Sequence, residues 1–284
     1  MPIRPPHLNP PFNVVRASHV EFGVRDLSRS RAFYVDCLGY LVTAEDRDAI
    51  YLRAVEERNH HSIVLRKSSD GSIPALGYKV ASEEDLDRAA FWFAHKGYPT
   101  SFPEIAHQGR TLRTCDVHGM PLDFYFRMDQ AECMLRKYAE YKGARIQRID
   151  HLNCFTPDVQ ASYDFYTELG FRLTEYTETD GDNPQLWAVW MHRKGNVHDL
   201  AFTNGRGPRL HHIGVWTASS LDILHICDVM ASSGYLANME RGPGRHGISN
   251  AFFLYIRDPD GHRVELFTSD YLTVDPDFEP LRWG

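Results

Sequence analysis

The chain lacks the marks of several large protein classes. Its five cysteines (Cys37, Cys115, Cys133, Cys154 and Cys227) are scattered, odd in number and form no C-x-x-C pair. That usage argues against a disulfide framework or a thiolate zinc site and predicts a reduced, cytoplasmic protein. Positive charge is also short. A formal net charge of -7 argues against a nucleic-acid groove or an anionic membrane surface as the main partner. No apolar run approaches the length of a membrane span, and the Pro-rich start has no signal-peptide core. With 43% hydrophobic and 24% charged residues among 284, a packed globular chain of one large or two ordinary domains is expected. Histidine is the residue in excess. Fifteen of them invite a search for metal-ligand groups.

The chain repeats itself. Ser18-His19-Val20 through Leu38-Gly39-Tyr40 matches Asp150-His151-Leu152 through Leu169-Gly170-Phe171. In each copy an Asp (Asp26, Asp158) precedes a helix carrying Phe-Tyr (Phe33-Tyr34, Phe165-Tyr166) ahead of a Leu-Gly stop. The registers at the two ends differ by a single residue, which is a duplication signal. A second pair of units is visible in 76–126 and 210–267. Each has a strand, a helix (Glu83 to Lys96 before Gly97; Leu221 to Ser233 before Gly234) and a late turn. The expectation is four copies of one small β-α-β-β module, grouped two and two. Residues 128–142 show helical periodicity and many charges, and read as a connecting helix ended by Gly143. The expected domains are 1–143, including that helix, and 144–284, with a short non-helical tail from Asp275.

The chemistry gathers in the second half. The stretch from Gly244 to Glu265 sets His246, Tyr255 and Glu265 around an Asp-Pro-Asp-Gly turn, between two runs that read as hairpin strands. A lone strand carboxylate faces water by default. Glu265 is not alone, because the early strands of the two second-half modules carry His151 and the pair His211-His212. Two imidazoles and one carboxylate on three strands make a facial triad for a divalent first-row metal, with open positions left over. Adjacent strand residues face opposite sides, so one of His211 and His212 points inward. His212, on the same face as Gly214, is preferred, with His211 as the alternative. The matching first-half positions are read as His19, Gly77 and Asp123. Gly77 offers no donor, so one metal per chain is expected.

These residues resemble a known family. The duplication, the His151-Leu152-Asn153 strand, His212 and the hairpin (His246, Leu254-Tyr255, Asp258-Pro259, Gly261, Glu265) are similar to type I extradiol ring-cleavage dioxygenases of the vicinal oxygen chelate superfamily. The segments Glu240 to Gly247 and Gly195 to Ala201 are most similar to members that act on homoprotocatechuate (3,4-dihydroxyphenylacetate). The resemblance implies an α+β fold of four βαβββ modules paired into two barrel-like domains, the second of them catalytic. It implies Fe(II), with Mn(II) as the other choice, held by His151, His212 and Glu265. A catechol and O2 would be the partners, and a homo-oligomer is implied, tetramers being common among similar proteins.

The roles it implies are specific. His198 is the acid/base, Tyr255 donates to the substrate oxygen, and His246 and Asn153 stand near substrate and dioxygen. Trp190 packs on the substrate side chain, and Arg241 pairs with its carboxylate. Members carry a longer C-terminal tail with a further Arg, a part that here only Arg282 could take. Without the resemblance, Tyr255 would read as core, His198 as a His in a polar strand capped by Asp199, and Arg241 as a solvated surface residue. Two other functions compete: a catechol 2,3-dioxygenase for unsubstituted or alkyl catechols, and a non-enzymatic binding protein of the same fold, which would need no metal triad.

Overall fold

The computed structural model describes residues 3–69 and 75–283. Met1 and Pro2 of the Pro-rich start, and Gly284 at the end of the expected tail, lie outside the described residues. The first half opens with β1 (Val14–Val24). A short helix, α1 (Leu27–Arg31), is capped by Asp26, whose side chain accepts from the Arg29 N–H, as helix N-termini require. It does not run on as the plain helix expected. It widens to a π-helical turn over Ala32–Cys37, and both Phe33 and Tyr34 are buried there. Then come β2 (Leu41–Glu45), β3 (Ala49–Arg53), β4 (Ile63–Lys67), β5 (Leu76–Val80), α2 (Glu83–His95), β6 (Thr111–Cys115) and β7 (Pro121–Tyr125).

The second half repeats the series. It comprises β8 (Ile146–Thr156), α3 (Val159–Glu168), β9 (Arg172–Glu178), β10 (Leu186–His192), β11 (Leu200–Asn204), β12 (Arg209–Thr217), α4 (Ser220–Ser232), β13 (Met239–Arg245), β14 (Phe252–Arg257), β15 (Arg263–Thr268) and β16 (Leu281–Trp283). One sheet has the order β2-β3-β4-β1-β5-β7-β6. The other is β13-β14-β15-β12-β8-β11-β10-β9-β16. Seven strands of the second sheet follow the order of the first, with β13 and β16 added at its edges. The fold is α+β, and the tail beyond Asp275 is no loose end, because β16 pairs in parallel with β9. Among the described residues no helix is long and apolar enough to cross a membrane.

The connecting helix is a correction. Residues 128–142 contain only a 3-10 turn, Tyr138–Glu140. The backbone is drawn into bonds with connecting segments of the first half instead: the N–H groups of Asp129, Ala131 and Met134 donate to the carbonyls of His107, Arg58 and Val55. Arg136 has a positive φ of 70°, which a right-handed helix does not allow. Side-chain periodicity spoke for a helix, but these partners, distant in sequence, take the donors a helix would need.

Strand register corrects the match between the halves as well. His19 pairs across to Gly77 and His151 across to Gly214, so Gly77 corresponds to Gly214 and not to His212. The residue in the place of His212 is Ala75, two positions before the glycine in each case. It too has no donor. Asp123 does correspond to Glu265, since each lies beside its glycine. In the first half Arg113, in the place of Tyr255, grips Asp123 with two bonds of 2.8 and 2.7 Å. A guanidinium thus occupies the acid that a metal would otherwise need.

Removing that cation leaves a buried carboxylate short of partners. Arg113→Ala should cost about 1–3 kcal/mol in urea unfolding of the metal-free protein and leave the metal content per chain unchanged.

Candidate metal centre

The centre is built on three adjacent strands of the second sheet, β15, β12 and β8. Gly214 in β12 pairs with His151 of antiparallel β8 on one side and with Glu265 of parallel β15 on the other. Its lack of a side chain is what admits the imidazole, because a Cβ at Gly214 would stand 2.0 Å from the His151 ring. His212 lies two residues earlier, on the same face. His151 Nε2 is 3.1 Å from Glu265 Oε2, His212 Nε2 is 3.0 Å from the same oxygen, and the two nitrogens are 3.2 Å apart. Donors about 2.1 Å from an ion and at right angles would be separated by about 3.0 Å. The triangle therefore fits one face of an octahedron. Among the described residues this is the one group of three or more His, Cys, Asp or Glu side chains gathered closely enough to hold an ion.

Two β-bulges explain what simple alternation missed. Between Leu210 and His212 the β12 register slips by one, leaving His211 as the extra residue. His211 is therefore not turned to the opposite face, and its Nδ1 lies 2.6 Å from His212 Nδ1. With His212 Nε2 on the metal, its Nδ1–H would donate to His211, which orients the ligand and does not replace it. A second slip, between Gly214 and Val215, makes Asp150 the extra residue of β8. Its carboxylate lies 3.2 Å from His151 Nδ1 and so fixes the tautomer that frees Nε2. Asp150 is a partner of the candidate ligand His151 that had no role in the sequence reading. Its only signal was an acid directly before His151.

The site's electrostatics favour a cation. Burial would raise the Glu265 carboxyl, but hydrogen bonds with His151, His212 and His246 hold it well below the usual range. Burial would likewise raise Asp150, yet Lys194, His151 and Arg148 keep it low. The centre thus carries two ionised carboxylates at neutral pH. His198 is different. Burial, reinforced by neighbouring His151, lowers its pKa well below the ordinary value, so it stands neutral, with its ring centroid 4.0 Å from that of His151. Burial and the Glu265 charge push the Tyr255 hydroxyl upward, and it remains a proton donor.

A cavity of about 70 Å³ opens above the triad. Of the residues expected around it, Asn153, Trp190, His198, His246 and Tyr255 line it with His212 and Glu265. His151 lies buried beside them. His246 reaches the second oxygen of Glu265 at 3.2 Å and stacks on Phe253. Arg241 is not in the lining. It is exposed on β13, paired with Tyr255 across the ladder, with its guanidinium 6.0 Å from the Phe253 ring. Arg282 is not brought to the cavity at all, since its guanidinium pairs with Glu178 at 2.5 Å.

Two lining residues, Ile248 and Ser249, were not foreseen. Ser249 has a φ of 56°, and its N–H is held by the buried Glu175 carboxylate at 2.8 Å. Glu175 also binds the Tyr271 hydroxyl and the Trp283 ring N–H. Neither residue carried a pattern that could have pointed to it.

Comparison with known proteins gives a consistent picture. Residues 16–114 and 148–266 match the Glyoxalase/Bleomycin resistance protein/Dioxygenase superfamily. The chain is 41% identical to homoprotocatechuate 2,3-dioxygenase from Brevibacterium fuscum, whose structure was solved with 3,4-dihydroxyphenylacetate. That likeness covers 99% of this chain and 87% of that one, with a TM-score of 0.93. The enzyme of the same name from Arthrobacter globiformis is 40% identical over 99% of this chain and 86% of its own, with a TM-score of 0.93. A manganese-dependent 2,3-dihydroxybiphenyl 1,2-dioxygenase of Geobacillus genomosp. 3 is 29% identical over 95% of this chain and 90% of its length.

The paired glycines give an internally controlled prediction. Gly214→Ala should weaken metal binding roughly a hundredfold, measured as metal retained after anaerobic desalting. Gly77→Ala sets the same clash against His19 and should leave metal retention unchanged.

Proposed function

The chain belongs to the Glyoxalase/Bleomycin resistance protein/Dioxygenase superfamily, and from that premise we propose that it is an extradiol dioxygenase acting on 3,4-dihydroxyphenylacetate. The ring opens beside its diol, both atoms of O2 enter the product, and a ring-opened semialdehyde results. One observation carries the proposal: three ligand atoms at 3.0–3.2 Å form the floor of a cavity whose walls hold a neutral buried His and a protonated Tyr. A divalent metal on His151, His212 and Glu265, Fe(II) by preference and Mn(II) with the same donors, supplies chelation of the two catechol oxygens and electron transfer towards O2.

The chain's own residues do the rest. His198 enters uncharged, so its free ring nitrogen can take a catechol proton and later return it. Tyr255 keeps its proton and donates a hydrogen bond to a substrate oxygen that has lost one. His246 holds the second oxygen of Glu265 at 3.2 Å and leaves the first facing both ligand imidazoles. Trp190 and Asn153 bound the ring on two sides.

Arg241 is the cation left for the acetate. It is exposed, and it lies close enough to Tyr255 to oppose the rise of its pKa. A planar guanidinium there offers two parallel donors to a carboxylate. Arg282, engaged with Glu178, is given no share in this. The five free thiols suit a cytoplasmic enzyme, and the expected assembly is a homotetramer.

A panel of catechols, run with Fe(II) and then with Mn(II) and followed by semialdehyde absorbance, tests the assignment. The 3,4-dihydroxyphenylacetate should be the best substrate; a preference for catechol or 4-methylcatechol would make the chain a catechol 2,3-dioxygenase. In Arg241→Ala, KM for 3,4-dihydroxyphenylacetate should rise about tenfold while that for 4-methylcatechol stays put. Equal effects on both substrates would remove the acetate contact. His198→Phe should keep its metal and lose roughly a hundredfold or more in kcat, and normal turnover would contradict the acid/base role.

A further inference from the structure

We infer that Glu57, a residue of the first half, positions the ligand His151 by holding the backbone of β8. The inference rests on the metal centre described above. β11 hydrogen-bonds to β8 only from Leu152 onward. Upstream, a first-half segment takes over that edge: Val55 N–H donates to Ile146 O at 3.2 Å and Glu56 N–H to Gln147 O at 3.0 Å. The next group is the Ile149 N–H, and it finds a side chain. Glu57 Oε1 accepts it at 2.8 Å, while Oε2 accepts from the Ala54 N–H at 2.7 Å and the Ser62 hydroxyl at 2.6 Å. Ile149 directly precedes the bulge at Asp150, and that bulge carries the Asp150 carboxylate to His151 Nδ1.

The first half repeats the device in mirror fashion. Its bulge falls at Ser18. The residue before it, Ala17, donates its N–H to Asp199 Oδ1 of the second half at 3.1 Å. Each half therefore meets the N–H just before the other's bulge, at matching places in β1 and β8, with a buried carboxylate, although the two acids are not themselves repeat-matched, since Ser62 stands where Asp199 does. Asp199 braces the strand of His19, which has no metal to hold. Glu57 braces the strand of His151.

A carboxylate suits the task because both of its oxygens only accept. Gln has the same shape, but one end of its amide would turn N–H toward N–H, leaving a buried donor unmet. The Asp150 bulge would then relax, and His151 would lose the fixed tautomer and ring orientation its outer partner imposes. Such losses weaken metal binding by about 10–100-fold.

The test compares full-length Glu57→Gln with Leu65→Ala, a cavity in the first-half core. Leu65→Ala should lower the urea midpoint of the metal-free protein at least as far. Mn(II) dissociation constants are measured anaerobically by chelator competition. The Kd of Glu57→Gln should rise about tenfold, and that of Leu65→Ala should stay at the wild-type value. An unchanged Kd in Glu57→Gln, or an equal rise in both variants, overturns the inference. If Glu57→Gln does not fold, Glu57→Asp, which withdraws Oε1 by one methylene, carries the same comparison. A wild-type protein that binds no Mn(II) overturns the metal centre itself, and the inference with it.

Discussion

Everything in the second half answers to one electrostatic demand, a carboxylate buried among imidazoles. Glu265 is only 5% exposed, His151 1% and His212 2%. Taking an ionised carboxylate out of water costs several kcal/mol or more unless a cation or several donors meet it. Here three imidazoles crowd one acid, and a divalent ion is the partner that suits their lone pairs. The supporting parts are arranged around that demand. Gly214 clears space for one ring, His211 and Asp150 orient the two ligands from behind, and Lys194 and Arg148 keep Asp150 ionised. Loosening any of these changes the aim of a nitrogen by tenths of an ångström, and first-row metals are sensitive to such changes.

The first half met the same geometry with other chemistry. His19 lies over Gly77 as His151 lies over Gly214, each within 2.1 Å of where a Cβ would stand. Ala75 has replaced the second imidazole, and Arg113 sits on Asp123 as an internal cation. With that positive charge installed, and with burial and Arg16 acting first, the His19 pKa falls to about 3. The result is a charge-balanced copy of the site, with a cavity of about 30 Å³ in place of the larger one. The two halves therefore differ in the source of the cation, which is covalent in one and exchangeable in the other.

The residues that had to be chemically particular were legible in the sequence. His151, His212 and Glu265 stood out as two imidazoles and one acid on three strands of the same half, and the Asp258 to Gly261 turn fixed the hairpin that carries Tyr255. Backbone irregularity left no such trace. A bulge is one extra residue, with no composition of its own, so the face of His211 and the role of Asp150 went astray together. The connecting helix failed for a related reason: the 128–142 pattern is helical, but the N–H groups of Asp129, Ala131 and Met134 are bonded to another part of the chain. Arg282 was the only residue that could take the part of the tail arginine implied by the resemblance, and Glu178, far away in sequence, decides where it points.

The duplication also bears on why a half without a metal persists. One continuous apolar cluster runs through both halves, with Tyr78 of β5 against Phe171 of the second half and Phe93 of α2 beside Phe165 of α3. Polar ties cross the same boundary. Tyr34 donates to Asp258 in the turn of the β14-β15 hairpin, and Arg193 binds the Val14 carbonyl. Strand β8 would otherwise present open backbone donors and acceptors just upstream of His151, where β11 falls short. A lone half would have to expose that edge or bury it unsatisfied, and either is unfavourable. The first half closes it, with the Val55 and Glu56 N–H groups and the Glu57 carboxylate lying along the side of the strand that carries His151.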